Sequence, residues 1–260
     1  MTSPPSLQDS ARATQDSGNV ALFGTLAEDW WDPEGASKLL HRINPARLGY
    51  IREAAIAHFA RDPRKRRALE GLTALDIGCG AGLVAEPLAR MGANVEGLDA
   101  GEEVIAVARA HAAAQRLAIP YHCTELLEFA AYNAGRLDFI TCLEVIEHVT
   151  DTKSFISAIS ALLKPGGLLL FSTPNRTPQS WAVLIAGAER LLRLIPDGGH
   201  EWKQFVTPDE LTQKLAEAGL RVEDVRGLSW SPARGFHISA DTSINYIGKA
   251  TRIQAENPQK

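Results

Sequence analysis

The chain has 260 residues, 45% of them hydrophobic, which suits one α/β domain with additions and a sizeable core. A formal net charge of −4 provides no global field that would favour nucleic acid. Three cysteines, Cys79, Cys123 and Cys142, lie far apart with no C-x-x-C, which argues against a disulfide framework or a zinc site and fits a reducing cytosol.

Residues 1–18 are polar, rich in Ser, Pro, Gln and Asp, and read as a disordered N-terminus without the apolar core of a signal peptide. A single domain is expected over residues 19–250, followed by a polar tail at 251–260. No apolar run approaches the roughly 20 residues of a membrane span. Residues 20–31 read as a helix ending in Trp30-Trp31. Asn44-Pro45 reads as a helix start, with Asn as cap and Pro at the first helical position. That helix would run through Arg47, Ile51 and Ile56 toward Phe59. The basic stretch from Arg61 to Arg67 is a connector, either a solvated linker or a contact for anionic lipid.

Leu75-Asp76-Ile77-Gly78-Cys79-Gly80-Ala81-Gly82 then ends an apolar run in three alternating glycines. A second run, Val95-Glu96-Gly97-Leu98, ends in Asp99. Glycines let a backbone approach a ligand closely, and an acid closing the next strand accepts from ribose hydroxyls. The spacing is G-x-G-x-G, not the dinucleotide G-x-G-x-x-G, and no Gly-Lys-Ser/Thr of a phosphate-binding loop follows. With Asp76 before it, the stretch resembles the first motif of class I S-adenosylmethionine-dependent methyltransferases.

Strands are expected at 74–77, 94–98, 120–123, 137–142 and 168–172, and helices at 83–91, 102–116 and 152–163. Lys164-Pro165-Gly166-Gly167 reads as a helix stop and turn. Beyond Thr173 the spacing predicts a long, largely apolar helix at 180–194 and a loop at Asp197-Gly198-Gly199-His200. A helix at 208–218 follows, capped by Thr207, and then strands at 220–226 and 243–249. The alternation predicts a Rossmann-like α/β fold. Its seven-stranded sheet would be doubly wound and mostly parallel, with N-terminal helices and a helical insertion at about 176–206. Ligands should sit at the carboxyl ends of the central strands, where Gly78, Gly80, Asp99 and Leu143 fall.

From Phe23 to Lys249 the chain resembles the bacterial ubiquinone-biosynthesis O-methyltransferases. The matching segments are Trp30-Trp31-Asp32, the stretch from Leu40 to Ile51, Thr141 to Val149, Phe171 to Arg176, and Ile244-Asn245-Tyr246. Departures are Ala81, Pro174 and the basic connector. The resemblance implies two hydroxyl methylations of polyprenylated catechol-type rings, an early hydroxyphenol step and the final demethylubiquinol step. S-adenosylmethionine would be the donor, and Arg47 would grip its methionyl carboxylate, unless Arg47 is an ordinary surface arginine. Leu143 would pack near the adenine or the sulfonium end, unless it is plain core. Asp76 would meet the cofactor amine through water, while His41 and His200 could equally be structural histidines.

Glu144, Glu147 and His148 stand at i, i+3 and i+4, so a helical turn would put them on one face. Two carboxylates suit Mg²⁺, which the resemblance also implies and which could chelate both catechol oxygens. His148 would be a ligand or the general base. Alternatively the three residues pack and hydrogen-bond without a metal. The apolar 180–195 segment, flanked by Arg190 and Arg193, is either a membrane-interface helix or an internal lid. A cytoplasmic protein peripherally bound to inner-membrane lipid is expected, with partners among other ubiquinone-biosynthesis proteins. Two rivals stay open: a C- or N-methyltransferase of another small molecule, and a non-catalytic S-adenosylmethionine-binding subunit.

Overall fold

The computed structural model describes residues 30–35, 37–183 and 202–254. The expected N-terminal disorder, most of the 20–31 helix, Leu184 to Ile195 of the apolar segment, the Asp197–His200 loop and the end of the polar tail lie outside the described residues.

Helix α1, Lys38–His58, leads into the first half of the domain. It contains Pro45 in its interior, so Asn44-Pro45 is not its start. Proline has no N–H to give the carbonyl four residues back, but side chains hold this region from outside. His41 Nε2 lies 2.8 Å from the Trp30 carbonyl, and Asn44 Nδ2 meets the Leu83 carbonyl at 3.5 Å. With Arg47 they share one helical face, three residues apart.

The alternating half follows as β1 (Thr73–Ile77), α2 (Ala85–Arg90), β2 (Asn94–Asp99), α3 (Glu102–Ala114) and β3 (Tyr121–Cys123). Next come α4 (Leu126–Tyr132), a short helix outside the expected set, then β4 (Leu137–Leu143), α5 (Thr152–Leu162) and β5 (Leu163–Pro174). The C-terminal part is α6 (Pro208–Glu217), β6 (Leu220–Ser231), β7 (Gly235–Ser239) and β8 (Asn245–Arg252). Thr207 caps α6 as expected, in a reciprocal box with Glu210.

Among the described residues the sheet has eight strands, not seven, in the order β3-β2-β1-β4-β5-β8-β6-β7. β1 to β5 pair in parallel, and β8, β6 and β7 add antiparallel pairs. The extra strand arises because β6 runs five residues past Arg226 and folds back on Gly235–Ser239. Lys164 to Gly167 is not a free turn either. Leu163 already pairs with Leu137, the register then shifts, and pairing resumes at Leu168 with Phe139. β8 reaches Arg252, so the first residues of the expected tail are strand.

Side chains alternate across the sheet and fill two layers. Leu75, Ile77, Leu169 and Phe171 pack with Phe155 and Ile159 of α5 and with Leu211 and Leu215 of α6. Ala74, Phe139, Leu168 and Leu170 pack on the other face with Ile51 of α1, Leu88 of α2 and Ile105 of α3. Both faces being covered explains why β4 and β5 read as continuous apolar runs. The parallel strands thus deliver β1, β2, β4 and β5 to one edge with their carboxyl ends aligned.

Tyr246 is fully buried in β8, and its hydroxyl donates to the Val206 carbonyl at 2.9 Å, tying the approach to α6 onto the sheet. Tyr246→Phe strands that buried acceptor and should cost about 1–3 kcal/mol in urea unfolding, without changing the dependence on denaturant.

Candidate active site

The glycine turn follows directly from β1. The N–H groups of Gly78 and Cys79 both donate to the Leu98 carbonyl, at 2.8 and 3.1 Å, which clamps the turn onto β2. Gly78 and Gly80 have φ of 66° and 50°, a region that penalises side chains. Space is closed as well. A Cβ at Gly78 would stand 2.3 Å from Val145 Cγ2, and one at Gly80 would stand 2.6 Å from the Trp30 ring. Trp30 therefore covers the turn, a contact that the sequence signalled only as part of a matching segment.

Asp99 closes β2 beside this turn. Its Oδ2 accepts from the Gly80 N–H at 2.9 Å and its Oδ1 from the Gly101 N–H at 3.0 Å. Each oxygen keeps a lone pair, as a ribose-binding acid requires. Burial raises the Asp99 carboxyl, and the Gly101 and Gly80 N–H groups pull it back. Asp76 is buried in β1. Thr141 donates to its Oδ1 at 2.7 Å, while its Oδ2 has no partner among the described residues. Burial pushes the Asp76 carboxyl up to about 7, against the pull of the Thr141 hydroxyl.

At the end of β4 the side chains converge from four elements. Leu143 is half-buried against the layer below α1. Glu144 follows it with φ of 56°, a left-handed conformation uncommon outside glycine. Its carboxylate is held by three donors. Arg47 of α1 reaches Oε1 at 2.9 Å. Ser172 of β5 donates to the same oxygen at 2.6 Å, and Asn245 of β8 donates to Oε2 at 2.8 Å. Arg47 is 4% exposed and is the sole buried Lys or Arg among the described residues, so it is not an ordinary surface arginine. Its Nε has no partner among them. Ser172 and Asn245 were not expected as site residues, because their link to Glu144 spans 28 and 101 residues of sequence.

The helical turn after β4 covers only Ile146–His148, so Glu144 is not on a shared helical face with Glu147 and His148. Glu147 is buried, and Thr173 donates to its Oε2 at 2.8 Å. His148 is half-buried at the end of the turn. Among the described residues no three His, Cys, Asp or Glu side chains gather as metal ligands. In this arrangement Glu144 is engaged by Arg47, Ser172 and Asn245, so a divalent ion held with Glu147 and His148 would require Glu144 to exchange those donors. His41 serves the Trp30 carbonyl, and His200 lies outside the described residues.

The methyltransferase-domain family model matches residues 23–225. A ubiquinone biosynthesis O-methyltransferase of Parvibaculum lavamentivorans is 45% identical over 94% of this chain and 96% of its own length. Another, from Bradyrhizobium diazoefficiens, is 47% identical over 90% and 92%. The chain belongs to the ubiquinone biosynthesis O-methyltransferase family. Among solved structures, magnesium protoporphyrin IX methyltransferase from Synechocystis, crystallised with bound S-adenosylmethionine, shares the fold. It is 16% identical with a TM-score of 0.61 and covers 93% of this chain and 100% of that one.

Asp76 gives the site a pH signature. The native protein holds a proton on Asp76 that an unfolded chain would release above the usual carboxylate range, so this group's contribution to stability is lost as pH rises toward about 7. A bound cationic donor favours the ionised form and expels the proton. Cofactor affinity should therefore rise with pH up to about 7 and then level. Titration calorimetry in buffers of different ionisation enthalpy should detect proton release that Asp76→Asn removes.

Proposed function

We propose that the protein transfers the methyl group of S-adenosylmethionine to a hydroxyl oxygen of a polyprenylated dihydroxyphenol in ubiquinone synthesis. The early hydroxyphenol and final demethylubiquinol steps would both be its reactions. The observation that carries this reading is similarity over nearly the whole chain to enzymes of that name, together with an intact glycine turn and Asp99.

The chemistry is an in-line displacement. The phenol oxygen forms a bond to the methyl carbon, the carbon–sulfur bond breaks, and its electron pair stays on sulfur. Gly78 and Gly80 let the backbone approach the donor, Asp99 takes the ribose hydroxyls, and Leu143 packs beside the donor. Arg47 pairs with the methionyl carboxylate, sharing its guanidinium with Glu144. Holding donor and acceptor in line supplies roughly 7–11 kcal/mol in well-oriented cases. A phenol with a pKa near ~10 must also lose its proton. His148, after β4 on the acceptor side, is the proposed proton acceptor. A cation at Glu144, Glu147 and His148 would require Glu144 to exchange its protein donors, and no step here is assigned to a metal.

The greasy acceptor points to a bilayer. No helix among the described residues is long and apolar enough to cross one. Trp181, Val183 and Trp202 are nevertheless exposed on either side of the apolar 184–195 segment. Exposed tryptophans suit a membrane interface, and this supports peripheral contact with inner-membrane lipid. Association with other proteins of the pathway would serve the same delivery.

Incubation with methyl-labelled cofactor and a short-tailed catechol should give an O-methylated ring. Label on carbon or nitrogen, or no transfer, would contradict the reading. His148→Ala should lower turnover near neutral pH by about 10²–10⁴-fold, recover in part at higher pH and leave cofactor affinity unchanged. A rate within a few-fold of native would remove His148 from the reaction.

A further inference from the structure

Asn245 carries an unmet acceptor next to the most constrained carboxylate of the site. It opens β8, opposite Pro174 at the end of β5, and is 7% exposed. An ionised Glu144 only accepts hydrogen bonds, so the Asn245 amide must turn its nitrogen toward Glu144. The amide oxygen, Oδ1, is thereby aimed away from Glu144. It is buried and has no donor among the described residues. Buried acceptors without donors are rare in native structures, and one at the edge of a binding site marks a place for a ligand donor.

Position decides which donor. The glycine turn and Asp99 belong to β1 and β2, whereas Asn245 lies on β8, three strands beyond β1. At the usual strand spacing that is about 14 Å from the glycine turn and about 19 Å from Asp99 at the ribose end. Arg47 and Glu144 stand between, at the end of β4. Asn245 therefore lies on the far side of Glu144 from the glycine turn and Asp99.

We propose that Asn245 is a specificity-determining residue whose Oδ1 accepts from the hydroxyl adjacent to the one being methylated, while its amide nitrogen fixes Glu144. This would make the enzyme select a ring with two neighbouring hydroxyls. Given methyl transfer to a dihydroxyphenol, on which this inference rests, one comparison of acceptors separates the two. A short-tailed catechol and its analogue with one hydroxyl already methylated are assayed with native enzyme, Asn245→Ala and Ser172→Ala. Ser172→Ala serves as the control that loosens Glu144 but keeps Oδ1.

Asn245→Ala should lower kcat/KM for the catechol by about tenfold more than for the methoxy analogue, which cannot donate at that position. The loss should fall mainly on KM. Ser172→Ala should affect both acceptors alike, and calorimetry should find cofactor affinity unchanged in Asn245→Ala. If Asn245→Ala does not fold, Asn245→Leu carries the same expectation, because it keeps about the volume of the amide and has no oxygen to accept from the ring hydroxyl. An equal loss with both acceptors would overturn the proposal and leave Asn245 a structural prop for Glu144. Weakened cofactor binding with unchanged acceptor preference would assign Oδ1 to the cofactor's ammonium instead. Failure of the native enzyme to methylate either ring would instead count against methyl transfer itself.

Discussion

A guanidinium cannot shed its proton in a protein, so a buried arginine must meet a negative group or its burial is prohibitive. Arg47 is such an arginine, and Glu144 meets it. This pair constrains much of what surrounds it. It fastens α1 to the carboxyl end of β4, and through Ser172 and Asn245 the same carboxylate fastens β5 and β8. The parallel half of the sheet is thus joined to its antiparallel extension at one charged point. Glu144 adopts a left-handed backbone conformation there, which costs of order 1–3 kcal/mol and persists only where surrounding contacts fix it. Three donors on one carboxylate supply that fixing.

The pair also divides the site. On the β1 and β2 side, close approach of backbone to ligand governs: glycines with no room for a Cβ, walled by Val145 and Trp30, and an acid oriented by two N–H groups. On the β5 and β8 side, polar side chains govern: Ser172, Thr173, Asn175 and Asn245, all buried. Arg47 stands between, its positive charge met by Glu144. Such an arrangement suits the proposed reaction, whose donor is a sulfonium cation and whose acceptor is a neutral phenol that must become an anion.

Local features were legible in the sequence and distant pairings were not. β1 and β2 announced themselves as short apolar runs, one followed by Gly78 and the other ending in Asp99, and β4 as an apolar run, because parallel strands buried on both faces need little polar alternation. Gly78, Gly80 and Asp99 could be read because their role lies in backbone geometry within one β-turn-α-β unit. The start of α1 could not. Asn44-Pro45 carries a real start signal, but contacts of His41 with Trp30 and of Asn44 with Leu83 hold the turn before Pro45 in place. β7 is not legible because its five residues begin with a glycine and pair only with the end of β6. Spacing alone suggested one helical face for Glu144, Glu147 and His148. Glu144 instead turns back toward α1, since Arg47, Ser172 and Asn245 draw its carboxylate there, and no periodicity within residues 144–148 records that pull.

A double-mutant cycle of Arg47→Ala and Glu144→Gln, read by chemical unfolding of the cofactor-free protein, tests this ion pair most directly. Breaking a buried pair by removing one partner costs about 3–5 kcal/mol, much of it from the charge left behind. Removing both charges should therefore cost clearly less than the two single changes together, with a coupling of about 2 kcal/mol or more. Costs that add to within about 0.5 kcal/mol would mean that the two groups do not hold one another, and that another constraint sets the end of β4.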